Sequence, residues 1–341
     1  TAVLKKAISA RGALGELKGS IKLIPNPTLL LNTLTLEEAR DSSEIENIVT
    51  TRDKLYTALT SSLKDIDPTT KEVLRYREAL WKGYDLVRKK KLITTNVILE
   101  VQETLIQNNA GIRRLPGTAL VNEATKEVMY TPPTGEMLIR ELLANLEMWL
   151  NVDSGVDPLV KLAVMHYQFE AIHPFYDGNG RTGRIVNVLY LLHARLQDLP
   201  ILYLSRHILN NRIEYYRLLR KVTTDDAWEE WILYILDAIE QTSLDTVNKL
   251  NRIRALLDEM VDKVRAELPK IYSRELVELL FHQPYCKVAF FVKHKLAERK
   301  AVARYLNALE EKGVLRSKPV GKEKLFINVR LYDLLAKHPK V

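Results

Sequence analysis

With a single cysteine, Cys286, the chain has no means of forming an internal disulfide and cannot build a multi-cysteine zinc site. Nothing in it calls for an oxidising compartment, so a cytoplasmic location is the default expectation. Long apolar runs are missing as well: none approaches the ~20 residues of a membrane-spanning helix. The opening Thr1-Ala2-Val3-Leu4-Lys5-Lys6 has no apolar core followed by a small-residue cleavage site, which argues against a secretory signal. No initiator Met is present, so the numbering reads as that of a trimmed chain. Internal repeats and low-complexity segments are absent, and no Gly-Lys-Ser/Thr follows the glycine-rich stretch, so it is not a Walker A loop. What remains is ordinary for a globular protein, with 46% apolar and 28% charged residues. A length of 341 residues leaves room for one large and one small domain, or for two medium ones.

Negative charge is scarce only at one end. From Arg265 onward there are 17 Lys and Arg against 8 Asp and Glu, a net +9 in a chain whose total is +8. The rest of the sequence is therefore close to neutral, and any nucleic-acid hypothesis concerns the C-terminal piece alone.

Helical periodicity dominates. The stretch through Ile24-Pro25-Asn26-Pro27 reads as irregular, and a helix is expected to start near Thr35, an N-cap before Glu37 and Glu38, and to run to about Asn47. Residues 71–89, 96–107, 136–150 and 158–172 read as further helices. Between them, 118–121 and 128–131 flank a polar stretch and predict a β-hairpin, ended by Pro132-Pro133. Three more helical segments reach about Leu268. After that, helices opening at Ser273, Val288 and Glu298, then a two-stranded ribbon around a basic turn at 318–324, predict a winged helix-turn-helix.

The chemistry concentrates in His173-Pro174-Phe175-Tyr176-Asp177-Gly178-Asn179-Gly180-Arg181-Thr182-Gly183-Arg184. Glycines let backbone N–H groups converge on one point, and the helix that follows aims its dipole and unpaired N–H groups at the same place. Arg181 and Arg184, three apart, share the first turn and suit a polyphosphate. Asp177 offers the hard oxygen that Mg²⁺ takes beside phosphates. His173 is the group that can accept a proton near neutral pH. These parts describe phosphoryl or nucleotidyl transfer.

The same segment resembles the Fic signature, His-x-Phe-x-Asp/Glu-Gly-Asn-Gly-Arg-x-x-Arg, at every specified position. Ser42-Ser43-Glu44-Ile45-Glu46-Asn47 resembles that family's inhibitory helix, and the hairpin before Thr131-Pro132-Pro133 resembles its target-docking flap. The likeness runs from about Ala13 to Glu240. It implies a mainly α fold: an N-terminal segment with the inhibitory helix (1–60), a Fic helical core (61–240) with a β-hairpin flap at about 113–133 and the active loop at 173–184, a connecting helix (241–268) and a small winged helix-turn-helix (269–341).

The activity implied is AMP transfer from Mg²⁺-ATP to a Ser, Thr or Tyr hydroxyl of a target protein, or of the chain itself. His173 would be the general base, Asp177 the Mg²⁺ ligand, and Gly178, Asn179 and Gly180 the anion hole, with Asn179 reaching the α-phosphate. Thr182 and Gly183 complete the nucleotide-binding set. Arg181 would bind on the β-phosphate side and Arg184 the γ-phosphate, while Phe175 anchors the loop. Relatives that transfer phosphate carry Lys where this chain has Gly180; phosphocholine transfer also occurs in the family. Glu46, flanked by Ser42 and Asn47, would pair with Arg184 and hold the reaction off, or orient a water for AMP removal. The target would add to the flap near 118–133 as a strand.

Tyr215 and Tyr216 would flank the adenine by stacking or else belong to the core, and Asn187, one turn into the post-loop helix, is a weaker candidate for a nucleotide contact. His166 lies seven residues before His173; a core histidine fits it better than a His166–His173–Asp177 metal site. A homodimer is compatible with the sequence. Arg299, Lys300 and Arg304 on the recognition helix, with Lys318, Lys322 and Lys324 on the wing, would suit DNA phosphates. The competing reading is therefore a DNA-binding regulator whose Fic-like domain senses nucleotide.

Overall fold

The computed structural model describes residues 1–22, 27–62, 65–121 and 128–336. In chain order the elements begin with α1 (Ala2–Ile21), α2 (Pro27–Ile45), α3 (Arg52–Thr60), α4 (Pro68–Lys90) and α5 (Thr95–Ile106). The hairpin strands β1 (Leu120–Val121) and β2 (Val128–Tyr130) follow, then α6 (Glu136–Asn151), α7 (Pro158–Ile172), α8 (Asn179–His193), α9 (Ser205–Asn210), α10 (Arg212–Asp225) and α11 (Trp228–Glu267). The C-terminal elements are α12 (Arg274–Leu279), β3 (Tyr285–Cys286), α13 (Val288–Lys293), α14 (Arg299–Glu311), β4 (Arg316–Val320), β5 (Glu323–Ile327) and α15 (Val329–Ala336). No helix among the described residues is long and apolar enough to cross a membrane. The chain divides into one unit of residues 1–18, 37–49 and 72–244, and a second of 19–36, 50–71 and 245–341.

The first unit is built around α8. Every residue from Arg181 to Leu191 on that helix is buried; an all-round burial of this kind belongs to a central helix rather than a surface one. It packs against α7, whose buried face carries Leu159, Leu162, Met165 and Phe169. Gly83 of α4 permits a close approach: a Cβ there would lie 2.7 Å from Leu189 of α8 and 2.9 Å from Val101 of α5. Local chemistry sets the ends of α7. Asp157 accepts the Leu159 N–H at 2.8 Å, Pro158 occupies the first turn, and His173 closes the helix in the left-handed region.

Two N-terminal expectations are corrected. The opening segment is helical, because Ala7, Ala10, Ala13, Leu14 and Leu17 form a buried stripe at helical spacing. The second helix starts at Pro27, eight residues before the expected cap. Thr35 is not a cap: its hydroxyl donates back to the Leu31 carbonyl at 2.7 Å inside a continuing helix. Residues 23–26 and the hairpin tip, 122–127, lie outside the described residues.

In the second unit α12, α13 and α14 stand with an antiparallel sheet of order β3-β5-β4. Tyr285 pairs with Ile327, and Arg316 with Ile327 on the other side. The expected winged helix-turn-helix is thus present with a third strand, β3, too short to leave a periodic signal. Phe291, Val302, Leu306, Leu309, Leu325 and Phe326 fill its core. Cys286 sits buried in β3, where burial pushes its thiol up to about 12 and leaves it unreactive.

Candidate active site

The loop between α7 and α8 is fixed from three directions. Phe175 is fully buried and bridges to Ile112 as a short antiparallel contact. The Asn179 amide holds both ends of a turn, accepting the Phe175 N–H and donating to the Phe175 carbonyl, each at 2.8 Å. Arg113, also fully buried, donates to the carbonyls of His173 at 2.7 Å, of Ile172 at 3.3 Å and of Pro133. Its own N–H donates to the Pro174 carbonyl at 3.0 Å. Arg113 was not among the candidates from the sequence, because a buried guanidinium satisfying carbonyls that are remote in sequence leaves no local pattern.

Gly178 enters α8 with φ 76°, and the first intrahelical bond is Thr182 N–H to the Gly178 carbonyl at 2.9 Å. The N–H groups of Asn179, Gly180 and Arg181 therefore precede the helical ladder, as an anion-binding helix start requires. Asp177 has a side chain 63% exposed; one carboxylate oxygen accepts the Gly178 N–H at 2.6 Å. A solvent-facing carboxylate beside a helix start of this kind fits Mg²⁺, which binds through one or two carboxylates and keeps several waters. Among the described residues no cluster of three or more His, Cys, Asp or Glu could hold a metal by itself.

Both loop arginines are buried to 2% side-chain exposure, and both are held by carboxylates. Glu46 Oε1 accepts from Arg184 Nη2 at 2.7 Å, and Glu46 Oε2 from Arg181 Nε at 2.8 Å. One carboxylate thus bridges the pair, where the sequence led us to expect contact with Arg184 alone. Ser42 completes the Arg184 site: its hydroxyl accepts from Nε at 2.7 Å and its carbonyl from Nη2 at 2.9 Å. Burial alone would weaken the Arg184 charge, but the Glu46 carboxylate raises its pKa above the usual arginine range. Asn47 ends the helix region at φ 62° and accepts from Arg212 at 3.0 Å. Gly180 leaves space for the clamp, since a Cβ there would lie 2.6 Å from Glu46 Oε1 and 2.9 Å from Arg184 Nη1. A residue missed in the sequence joins them: Glu72 of α4 accepts from Arg181 Nη1 at 2.5 Å.

Burial, with Arg113 nearby, lowers the pKa of His173 to about 4 against the opposing pull of the Glu170 carbonyl and Glu46, so its imidazole is neutral at pH 7. His166 is a core residue: fully buried, held to about 3 by burial and the Arg184 charge, bonded to the Tyr215 hydroxyl at 2.9 Å and stacked on Trp231. Tyr215 is 1% exposed, with Trp231, Tyr216 and Tyr234 around its ring. It has no free face for adenine, a correction to the expectation. Tyr216, 46% exposed, is the one of the two able to stack. Thr182 and Asn187 are buried, and neither side chain has a hydrogen-bond partner among the described residues. Gly183 faces α7, where a Cβ would lie 2.7 Å from Glu170 Oε1 and 3.0 Å from Phe169.

Of the basic candidates near the C-terminus, Arg299, Lys300 and Arg304 are exposed on α14. Two wing lysines are engaged within their own unit, Lys318 by Asp53 at 2.7 Å and Lys324 by Glu310 at 2.8 Å. Lys322 is exposed in the turn between β4 and β5.

Residues 92–191 match the Fic/DOC family and residues 4–85 its Fic/DOC family N-terminal region. Residues 256–331 match the C-terminal domain of SoFic-like protein adenylyltransferases. A probable protein adenylyltransferase of Aquifex aeolicus is 27% identical over 256 residues, which is 71% of this chain and 72% of that protein. The protein adenylyltransferase Fic of Culex quinquefasciatus is 28% identical over 200 residues, 58% of this chain but 37% of that one. In three dimensions a Fic family protein from Desulfovibrio desulfuricans superposes with a TM-score of 0.58 at 19% identity, covering 95% of both chains. Fic-1 from C. elegans gives 0.56 at 20%, covering 74% of both. These two likenesses concern the fold. The chain belongs to the Fic/DOC family, with that family's N-terminal region and a SoFic-like C-terminal domain. Within it, the chain is a protein adenylyltransferase.

Proposed function

We propose that the chain transfers AMP from ATP to a hydroxyl of a target protein, and of itself, and that Glu46 restrains the reaction. The observation that carries this reading is the single carboxylate bridging Arg181 and Arg184 above the free N–H groups at the start of α8. Two buried guanidinium groups on a helix N-terminus are a polyphosphate site. A carboxylate seated on both occupies that site with the wrong anion.

In the released state His173 takes the proton of the target hydroxyl as its oxygen attacks the α-phosphorus. The bond to the β-phosphate breaks and pyrophosphate leaves. The N–H groups of Asn179, Gly180 and Arg181 stabilise the charge on the transferring group. Asp177 would hold Mg²⁺, which supplies neutralisation of the phosphates. The Asn179 side chain keeps the loop in shape rather than reaching the nucleotide, since both ends of its amide are engaged. Tyr216 would take the adenine face expected of Tyr215.

The target would add to the hairpin of β1 and β2 as a strand. Tyr130 at its base donates to the Ala171 carbonyl at 2.8 Å, which ties that strand to the end of α7 next to His173. Exposed Arg299, Lys300 and Arg304 are the groups a DNA contact would use, with the wing contributing less than its lysine count suggests.

The test is incubation with ATP labelled either at the α- or at the γ-phosphate, using the Glu46→Gly variant and a cell lysate as target source. Protein label from the α position alone supports AMP transfer. Label from the γ position means phosphate transfer, and label from neither refutes the reading.

A further inference from the structure

Arg181 is gripped at a second point that the family signature does not contain. Its Nε and Nη2 form the side-on edge of the guanidinium, the edge suited to bidentate contact with a phosphate. In the structure that edge is met by Glu46 Oε2 at 2.8 Å and, more loosely, by Asp177 Oδ1 at 3.4 Å. The remaining end, Nη1, is taken by Glu72 at 2.5 Å. Glu72 lies on α4, whereas Glu46 lies in the turn directly after α2, so moving that turn or deleting Glu46 leaves the Glu72 contact in place. At 2% exposure the Arg181 side chain has almost no water to solvate it. A desolvated guanidinium N–H needs a fixed hydrogen-bond acceptor, and once Glu46 has gone Glu72 supplies the nearest one to Arg181.

We infer that Glu72 is a positioning residue for catalysis: it holds Arg181 by Nη1 so that the Nε–Nη2 edge is presented to the phosphates of ATP when Glu46 withdraws. The inference rests on the nucleotide-transfer reading above. It differs from a second inhibitory role, in which Glu72 would compete with phosphate through its charge. The two roles predict opposite results. A positioning residue works through a hydrogen-bond acceptor at a fixed place, so glutamine substitutes for it. A competing charge works through its negative sign, so glutamine relieves it.

The experiment measures Mg²⁺-ATP binding by calorimetry in four full-length proteins: Glu46→Gly, and the same variant with Glu72→Gln, Glu72→Ala or Glu72→Ser. Thermal melts are recorded alongside. Glu72 has a side chain 32% exposed, so its truncation is compatible with folding. The expected result is near-parental affinity for Glu72→Gln and a loss of about tenfold for Glu72→Ala and Glu72→Ser, from one lost charge-assisted bond. Tighter binding in any Glu72 variant would overturn the inference in favour of a second brake, and unchanged binding in all three would overturn it outright. Failure of Glu46→Gly itself to bind ATP would sink the nucleotide reading first, and the inference with it.

Discussion

Replacing Glu46 with glycine removes two charge-assisted hydrogen bonds, at 2.7 and 2.8 Å, from two arginines that are each 2% exposed. Each such bond is worth ~1.5–3 kcal/mol where charge is involved. Glu46 keeps 24% side-chain exposure, so part of that is lost to solvent screening. Displacing Glu46 should therefore cost ATP about 2 kcal/mol, or roughly thirtyfold in affinity. The same deletion leaves buried positive charge less compensated, and truncating one member of a buried pair is destabilising. Glu46→Gly should bind Mg²⁺-ATP roughly thirtyfold more tightly than the native protein by calorimetry. Without ligand it should melt several degrees lower, and saturating ATP should recover the difference. Equal affinity in the two proteins would mean that Glu46 does not contest the phosphate site, and the restraint argument would be wrong. Tighter binding with no fall in melting temperature would show instead that the clamp contributes nothing to the fold.

Arg113→Ala should lower transfer at least tenfold in the Glu46→Gly background, because the His173, Ile172 and Pro133 carbonyls lose a common donor. Arg113→Lys should recover it only in part, since an ammonium lacks the fork that reaches three acceptors; full activity in Arg113→Ala would refute the clamp. With His173 lowered to about 4, its neutral, proton-accepting form persists at mildly acid pH, so the acid limb of the transfer rate should fall as pH drops through about 4. A limb near 6.5 would place His173 in a far wetter setting. Glu38, fully buried on α2, is raised to about 7 by burial, against the opposing hydrogen bonds from Ser205 and Tyr76. A raised carboxyl pKa stabilises the fold fully below its unfolded value and loses that contribution as pH rises through 7, by up to about 3 kcal/mol. Denaturant titrations at pH 5 and pH 8 should show that loss in the native protein and a smaller one in Glu38→Gln; the same pH dependence in both would contradict the assignment.

The site was legible where its parts are contiguous. Twelve consecutive residues carry the proposed base, the proposed metal ligand, the helix start and both arginines, and they sit on the single segment between two helices. Glu46 was legible because it follows Ser42 at a recognisable spacing. The groups that hold these parts in place were not. Arg113 and Glu72 reach the loop across about sixty and one hundred residues of chain, and neither sits in a pattern that marks it. Tyr215 misled for a different reason: two adjacent tyrosines on a helix point about a hundred degrees apart, and only the fold says which one meets Trp231. The N-terminal helices were obscured by Pro25 and Pro27, whose effect is local. Pro27 begins a helix rather than preventing one. The wing lysines were legible as charge, but Asp53 and Glu310, which neutralise two of them, were not legible as their partners.

The central claim is that His173 drives AMP transfer once Glu46 is removed. Intact-protein mass measurement after incubation with Mg²⁺-ATP tests it most directly, comparing Glu46→Gly with Glu46→Gly/His173→Ala. The account predicts addition of AMP to the first protein and none to the second, with both still binding ATP. AMP on both proteins alike would contradict the assignment of His173 as the base, and AMP on neither, with ATP bound, would contradict the reaction itself.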